Sequence, residues 1–124
     1  MAAKTIKVLI VEDDRTIRQM YEVKLALEGF QVEAADNGES GFKAVKEFNP
    51  DVVLLDIMMP EVTGVDFVGY LRKNQKYDKI KVIVMTNLDD PLMKKSFDGE
   101  VSGYIVKSDT TPAQVVEKIR SVLQ

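Results

Sequence analysis

An alternation is the feature that most limits what this chain can become. Apolar runs rich in valine and isoleucine recur at Ile6 to Val11, Val32 to Ala35, Val52 to Leu55, Val82 to Met85 and Tyr104 to Val106, with helical spacing between them. Parallel strands need long return connections, and right-handed crossovers place those returns as helices on the faces of the sheet. Strands covered on both faces read as continuous apolar runs rather than as alternating ones, which is the pattern here. The expectation is an α/β chain, five parallel strands between two helical layers.

The helices carry their own punctuation. Ile17, Met20, Tyr21 and Leu25 are read as one helical face, and Gly29 supplies the left-handed residue that ends the first helix. Asp14 is the expected cap at its start. Phe42 and Val45 mark a second helix after Asn37-Gly38, and Phe67, Val68 and Leu71 mark a third after Gly64. A fourth is expected to begin at Pro91 with Asp90 as its cap. The last has the fullest signature, with Thr111 as cap, Pro112 at the first position and Gln114 completing a capping box, and Val115, Ile119, Val122 and Leu123 on its buried face.

Composition removes several kinds of chemistry. With 124 residues, 45% hydrophobic, the chain has the length of one domain, 1–124, and can bury a core without staples. It has no cysteine and no histidine, so disulfides, thiolate or imidazole metal ligands and histidine-dependent nucleophile pairs are excluded. A net charge of -3 and lysines scattered along the chain argue against direct nucleic-acid binding. The segment MAAKTIKVLIVEDD has too short an apolar run for a signal peptide, and no stretch reaches membrane-span length. These readings predict a soluble, cytoplasmic protein without a membrane partner. No glycine-rich fingerprint follows strand one, which disfavours nucleotide binding. Met20, Met58, Met59, Met85 and Met93 are expected as core or cleft filler.

What remains is concentrated at the strand ends. Strand one runs into Glu12-Asp13-Asp14, strand three into Asp56, strand four into Thr86 and strand five into Lys107. In a parallel sheet these ends share one edge, and ligands bind there where the strand order reverses. Any one of these residues, alone, is ordinarily a helix cap or a solvated side chain. Three carboxylates converging on one cleft repel one another unless a cation neutralises them. Hard oxygen ligands without histidine or cysteine favour Mg2+. A carboxylate beside such an ion and a lysine can act as a nucleophile towards a phosphoryl group, with Lys107 and the Thr86 hydroxyl balancing the transferring oxygens.

These residues resemble the receiver domain of two-component response regulators, including the stand-alone, chemotaxis-like type. The resemblance rests on the acidic pair in VLIVEDD, the acceptor in LLDIMMP with Gly64 four residues after Pro60, Thr86 in VIVMT, and Tyr104 with Lys107 in YIVK. It implies a flavodoxin-like fold with strand order 2-1-3-4-5. By the same resemblance Asp56 accepts a phosphoryl group from a sensor histidine kinase or phosphotransfer protein. Asp13, Asp56 and the Met58 carbonyl ligate Mg2+, Glu12 holds metal-bound water, and Thr86 and Tyr104 form a switch pair. Phosphorylation then shifts the surface of the fourth helix, strand five and the fifth helix towards a downstream effector protein, the chain being a monomer or a phosphorylation-dependent dimer. It would catalyse its own phosphorylation and autodephosphorylation without turning over a separate substrate.

Three departures from the family pattern stand out. Asn87 follows the switch threonine where a small residue is usual, Ser108 follows Lys107 where proline is usual, and GEVSGY precedes strand five without the usual Gly-Ala pair. With Ser108 in place of proline, a trans peptide is expected after Lys107. Met58 and Leu88 occupy positions where rapidly dephosphorylating family members tend to carry polar side chains, so with Asn87 they predict a long-lived phosphoryl group. The alternative is a degenerate receiver serving as a constitutive interaction module, which the complete set Glu12, Asp13, Asp56, Thr86 and Lys107 argues against. A haloacid-dehalogenase-type phosphatase would want a second Asp where this chain has Met58.

Overall fold

A computed structural model of the chain describes residues 4–87, 95, 97 and 99–124. Five strands, β1 (Lys7–Val11), β2 (Gln31–Ala35), β3 (Val52–Asp56), β4 (Lys81–Thr86) and β5 (Gly103–Val106), form one parallel sheet in the order β2-β1-β3-β4-β5. Four described α-helices accompany them: α1 (Arg15–Leu27), α2 (Gly38–Phe48), α3 (Gly64–Arg72) and α4 (Pro112–Val122). The flavodoxin-like order expected from the resemblance is the order found. The expected helix from Pro91, with its cap Asp90, lies outside the described residues, as do Leu88 and Met93.

The strand residues divide by parity, as a pleat requires. Val8, Ile10, Val52, Leu54, Ile83, Met85 and Ile105 face a core closed by Tyr21 and Leu25 of α1 and by Val115, Val116 and Ile119 of α4. Leu9, Val11, Val53, Leu55, Val82 and Val84 face the opposite core, closed by Val45 of α2 and by Phe67, Val68 and Leu71 of α3. Register follows the same logic, with Val8 beside Val52 and Val53 beside Val82. Every residue of β3 is buried, Asp56 included.

The caps follow the sequence. Asp14 accepts from the Ile17 N–H at 3.0 Å, and Thr111 and Gln114 close a capping box at the start of α4. A second box, between Thr63 and Asp66, opens α3 and was not anticipated. Gly29 has φ +92, the left-handed stop expected of it. Met20 and Met58 correct the reading of the methionines as filler, being 43% and 67% exposed. At about 100° per residue Met20 stands a quarter turn from Tyr21, off the buried face. Met59 and Met85 are buried as expected.

Arg72 anchors the far end of α3. Its guanidinium donates to the carbonyls of Glu100, Tyr77 and Ile80 at 3.0, 3.2 and 2.9 Å, satisfying three acceptors where the chain turns from α3 into β4 and approaches β5.

Candidate functional site

In a sheet ordered β2-β1-β3-β4-β5 the crossovers change direction between β1 and β3, leaving a crevice at their carboxyl ends. Glu12 and Asp13 follow β1 into that crevice and Asp56 ends β3. Carboxylate oxygens of Glu12, Asp13 and Asp56 lie within 4.8 Å of one another, Glu12 and Asp56 buried and Asp13 exposed.

Lys107, immediately after β5, reaches across the crevice. Its Nζ lies 2.7 Å from Glu12 Oε1 and 3.4 Å from Asp56 Oδ1, with little of either partner open to solvent. Asp56 Oδ1 also accepts the Met58 N–H at 3.1 Å, which folds the start of the following loop back over Asp56. The Glu12 backbone is held on two sides: its N–H donates to the Ala35 carbonyl at 3.0 Å, and its carbonyl accepts from Arg18 at 2.9 Å. Arg18 was missed by the sequence reading, because nothing in its spacing distinguishes it from a solvated arginine of α1.

The loop after Asp56 is tightly turned. Glu61 has φ +67, a left-handed conformation in a non-glycine residue, and the Val62 N–H donates to the Pro60 carbonyl at 2.8 Å across it. Gly64 then closes the loop by donating to the Ile57 carbonyl at 3.0 Å.

The other described site residues lie at the end of β4 and on β5. Thr86 is buried at the end of β4, one residue beyond Met85, the register partner of Asp56. Tyr104 on β5 is half-buried against the core, its ring edge-on to Phe97 with centroids 6.3 Å apart. Asn87 is exposed and Leu88 is outside the described residues. The Lys107–Ser108 peptide is trans, as expected without proline.

The charges in the crevice are unbalanced. Burial lifts the Glu12 carboxyl to about 8, the Asp56 carboxylate adds to the rise, and Lys107 opposes it. Burial and Asp56 also raise the Asp13 carboxyl above its ordinary value. Burial alone would depress the Lys107 ammonium, but the Glu12 and Asp56 carboxylates outweigh it and hold the lysine charged to higher pH. Glu12 Oε2 is buried with no hydrogen-bond partner among the described residues. Hard oxygens crowded together, one of them lacking a donor, form a donor set that fits a divalent cation and its water shell.

The doubly wound sheet and the acid-lysine crevice at its switch point define the receiver class of signalling domain. The chain belongs to that family, matching the response regulator receiver domain over residues 8–120, and is a receiver domain of a two-component system. It is 34% identical over 119 residues to the probable transcriptional regulator ycf27 of Guillardia theta, covering 95% of this chain and 45% of that protein. The chain spans about half the length of the curated relatives it matches. The chemotaxis protein CheY4 of Vibrio cholerae superposes with a TM-score of 0.90 at 28% identity, covering 96% of this chain and 99% of that one. A DNA-binding response regulator of the LuxR family from Staphylococcus aureus superposes with a TM-score of 0.86 at 34% identity, covering 96% and 99% of the two chains. No described helix is long and apolar enough to cross a membrane.

Proposed function

We propose that this chain is a phosphorylatable switch in which Asp56 is the acceptor. A carboxylate oxygen of Asp56 attacks the phosphorus of a phosphohistidine on a sensor kinase or phosphotransfer protein. The P–N bond breaks, its electron pair returns to the imidazole, and an acyl phosphate forms on Asp56. Lys107, held between Glu12 and Asp56, offsets charge on the phosphoryl oxygens, and the Thr86 hydroxyl donates to one of them.

Glu12, Asp13, Asp56 and the Met58 carbonyl are the groups that would hold Mg2+. When bound, that ion supplies the positive charge that lets a crowded carboxylate meet a phosphoryl group. The observation that carries the reading is the convergence of three carboxylates within 4.8 Å, two of them in contact with Lys107. Mass spectrometry after incubation with acetyl phosphate and Mg2+ tests it. One added phosphoryl group is expected, absent in Asp56→Asn, whereas an unmodified wild-type chain would reduce the domain to a constitutive interaction module.

The phosphoryl group should be long-lived. Hydrolysis of an acyl phosphate needs a water placed in line, and neither the Met58 nor the Leu88 side chain offers a hydrogen bond to one, while Asn87 is larger than the small residue usual at its position. Each absent contact slows the step roughly tenfold, since ~1.4 kcal/mol of barrier is one decade in rate. Met58→Asn combined with Leu88→Glu is expected to dephosphorylate faster than wild type by one to two orders of magnitude, roughly. An equal or slower rate refutes the assignment of these side chains as rate-setting.

A further inference from the structure

At the edge of the sheet opposite Asp56, lysines distant in sequence come together. Lys4 and Lys7 approach from the start of β1, and Lys76 and Lys79 from the turn between α3 and β4. With Asp51 and Ile80 they line an open pocket of about 420 Å³. Asp51 is the single carboxylate in that lining. Both of its oxygens are engaged, Oδ1 by Lys4 Nζ and Oδ2 by the Lys7 N–H, each at 2.9 Å. Lys7 Nζ donates to the Phe48 carbonyl at 3.2 Å. Lys76 Nζ sits 5.1 Å from the Tyr77 ring centroid, and neither it nor Lys79 is paired with a carboxylate among the described residues.

Four lysines and one carboxylate line the pocket, a formal excess of three positive charges around it. Like charges so placed attract a counter-ion. A single phosphomonoester brings about -1.5 to -2, short of that excess, whereas two linked phosphates approach it. Lysine binds phosphate as a mobile point charge, and the volume falls within the ~300–1,000 Å³ of small-ligand sites. Asp51 and Asp56 are five residues apart along an extended strand, so the pocket lies ~17 Å from the phosphoryl acceptor and is independent of it.

We propose that this pocket binds a small diphosphate-bearing ligand, gripped by Lys76 and Lys79 with Lys4 and Lys7 at its rim. The Asp51 carboxylate, already satisfied, holds the Lys4 ammonium and the Lys7 backbone rather than opposing the anion.

The test is titration of the full chain with inorganic pyrophosphate in EDTA, followed by amide NMR. Orthophosphate, sulfate at matched ionic strength, ADP and a single-stranded oligonucleotide form parallel arms. Saturable shifts are expected at Lys7, Asp51 and residues 76–80, with pyrophosphate binding at least tenfold more tightly than orthophosphate or sulfate. Binding of ADP as tight as that of pyrophosphate assigns the diphosphate to a nucleotide, and binding of pyrophosphate alone assigns it to the free anion. Lys76→Gln with Lys79→Gln should weaken binding at least tenfold while leaving thermal unfolding and Asp56 phosphorylation unchanged. Equal shifts with sulfate, shifts centred on Glu12 and Asp56, or undiminished binding in the double variant would overturn the proposal. So would tighter binding of the oligonucleotide, which marks a nucleic-acid surface instead.

Discussion

Gly64 and Gly69 lie in the same helix, and the surroundings of each make an identical substitution act in opposite directions. A Cβ on Gly64 would stand 2.8 Å from the Ile57 Cα and 3.2 Å from the Asp56 carbonyl oxygen, both backbone atoms that cannot swing aside. A Cβ on Gly69 would meet nothing within 4 Å. Gly64→Ala is therefore expected to destabilise the fold by about 1–3 kcal/mol and to slow phosphorylation, because the displaced backbone carries Asp56, the proposed acceptor. Gly69→Ala should leave phosphorylation alone and stabilise by up to ~1 kcal/mol through helix propensity. Urea unfolding midpoints of the two variants check the pair, and equal midpoints would reject the steric account.

At the scale of elements, Asp51 ties the beginnings of β1 and β3. It accepts from the Lys7 N–H and from Lys4, and its own N–H donates to the Lys7 carbonyl at 2.9 Å. Burial alone would raise its pKa, but the Lys7 amide and the Lys4 ammonium outweigh that and lower it. A carboxyl more acidic in the folded chain contributes stability above its unfolded pKa of ~3.9. That contribution is lost as the pH falls through the lower folded value. Asp51→Asn should consequently be less stable than wild type at pH 7, and the gap should close as both are taken below about pH 4. Thermal melts at pH 7 and pH 3 measure it. A constant gap would assign the loss to packing instead.

For the molecule as a whole, the proposed acceptor crevice and the Tyr104 face are linked through adjacent strands. Thr86 stands beside Val106 in the β4–β5 register and Val84 beside Tyr104, so in the proposed switch a shift of Thr86 towards a phosphoryl oxygen would act on the strand that carries Tyr104. Tyr104 packs against the core on the α2 and α3 side, edge-on to Phe97. Addition of beryllofluoride with Mg2+ is expected to move the amide and ring resonances of Tyr104 and Phe97, as a population shift between two arrangements of this face. Resonances unchanged there, with shifts confined to Asp56 and its loop, would leave an acceptor without a switch.

Much of this molecule is legible along the chain, because period and punctuation are local properties. Five apolar runs separated by capped helices specify parallel strands and their crossovers, and the polar residue at the end of each run specifies the edge where chemistry collects. The positions of Glu12, Asp13, Asp56, Thr86 and Lys107 at the strand ends were visible in this way. Met20 was misread because apolar residues at helical spacing do not reveal how wide the buried stripe is, and α1 covers its core with Tyr21 and Leu25. Arg18 and Arg72 were not legible as anchors, since the carbonyls they satisfy belong to turns that only packing brings near. The depth of Glu12, its orphaned oxygen and its raised pKa required the tertiary structure, because burial is a property of neighbours and not of spacing. The same holds for the lysine pocket: Lys4, Lys7, Lys76 and Lys79 look scattered in sequence, and only the parallel sheet, by starting every strand at one edge, makes them neighbours.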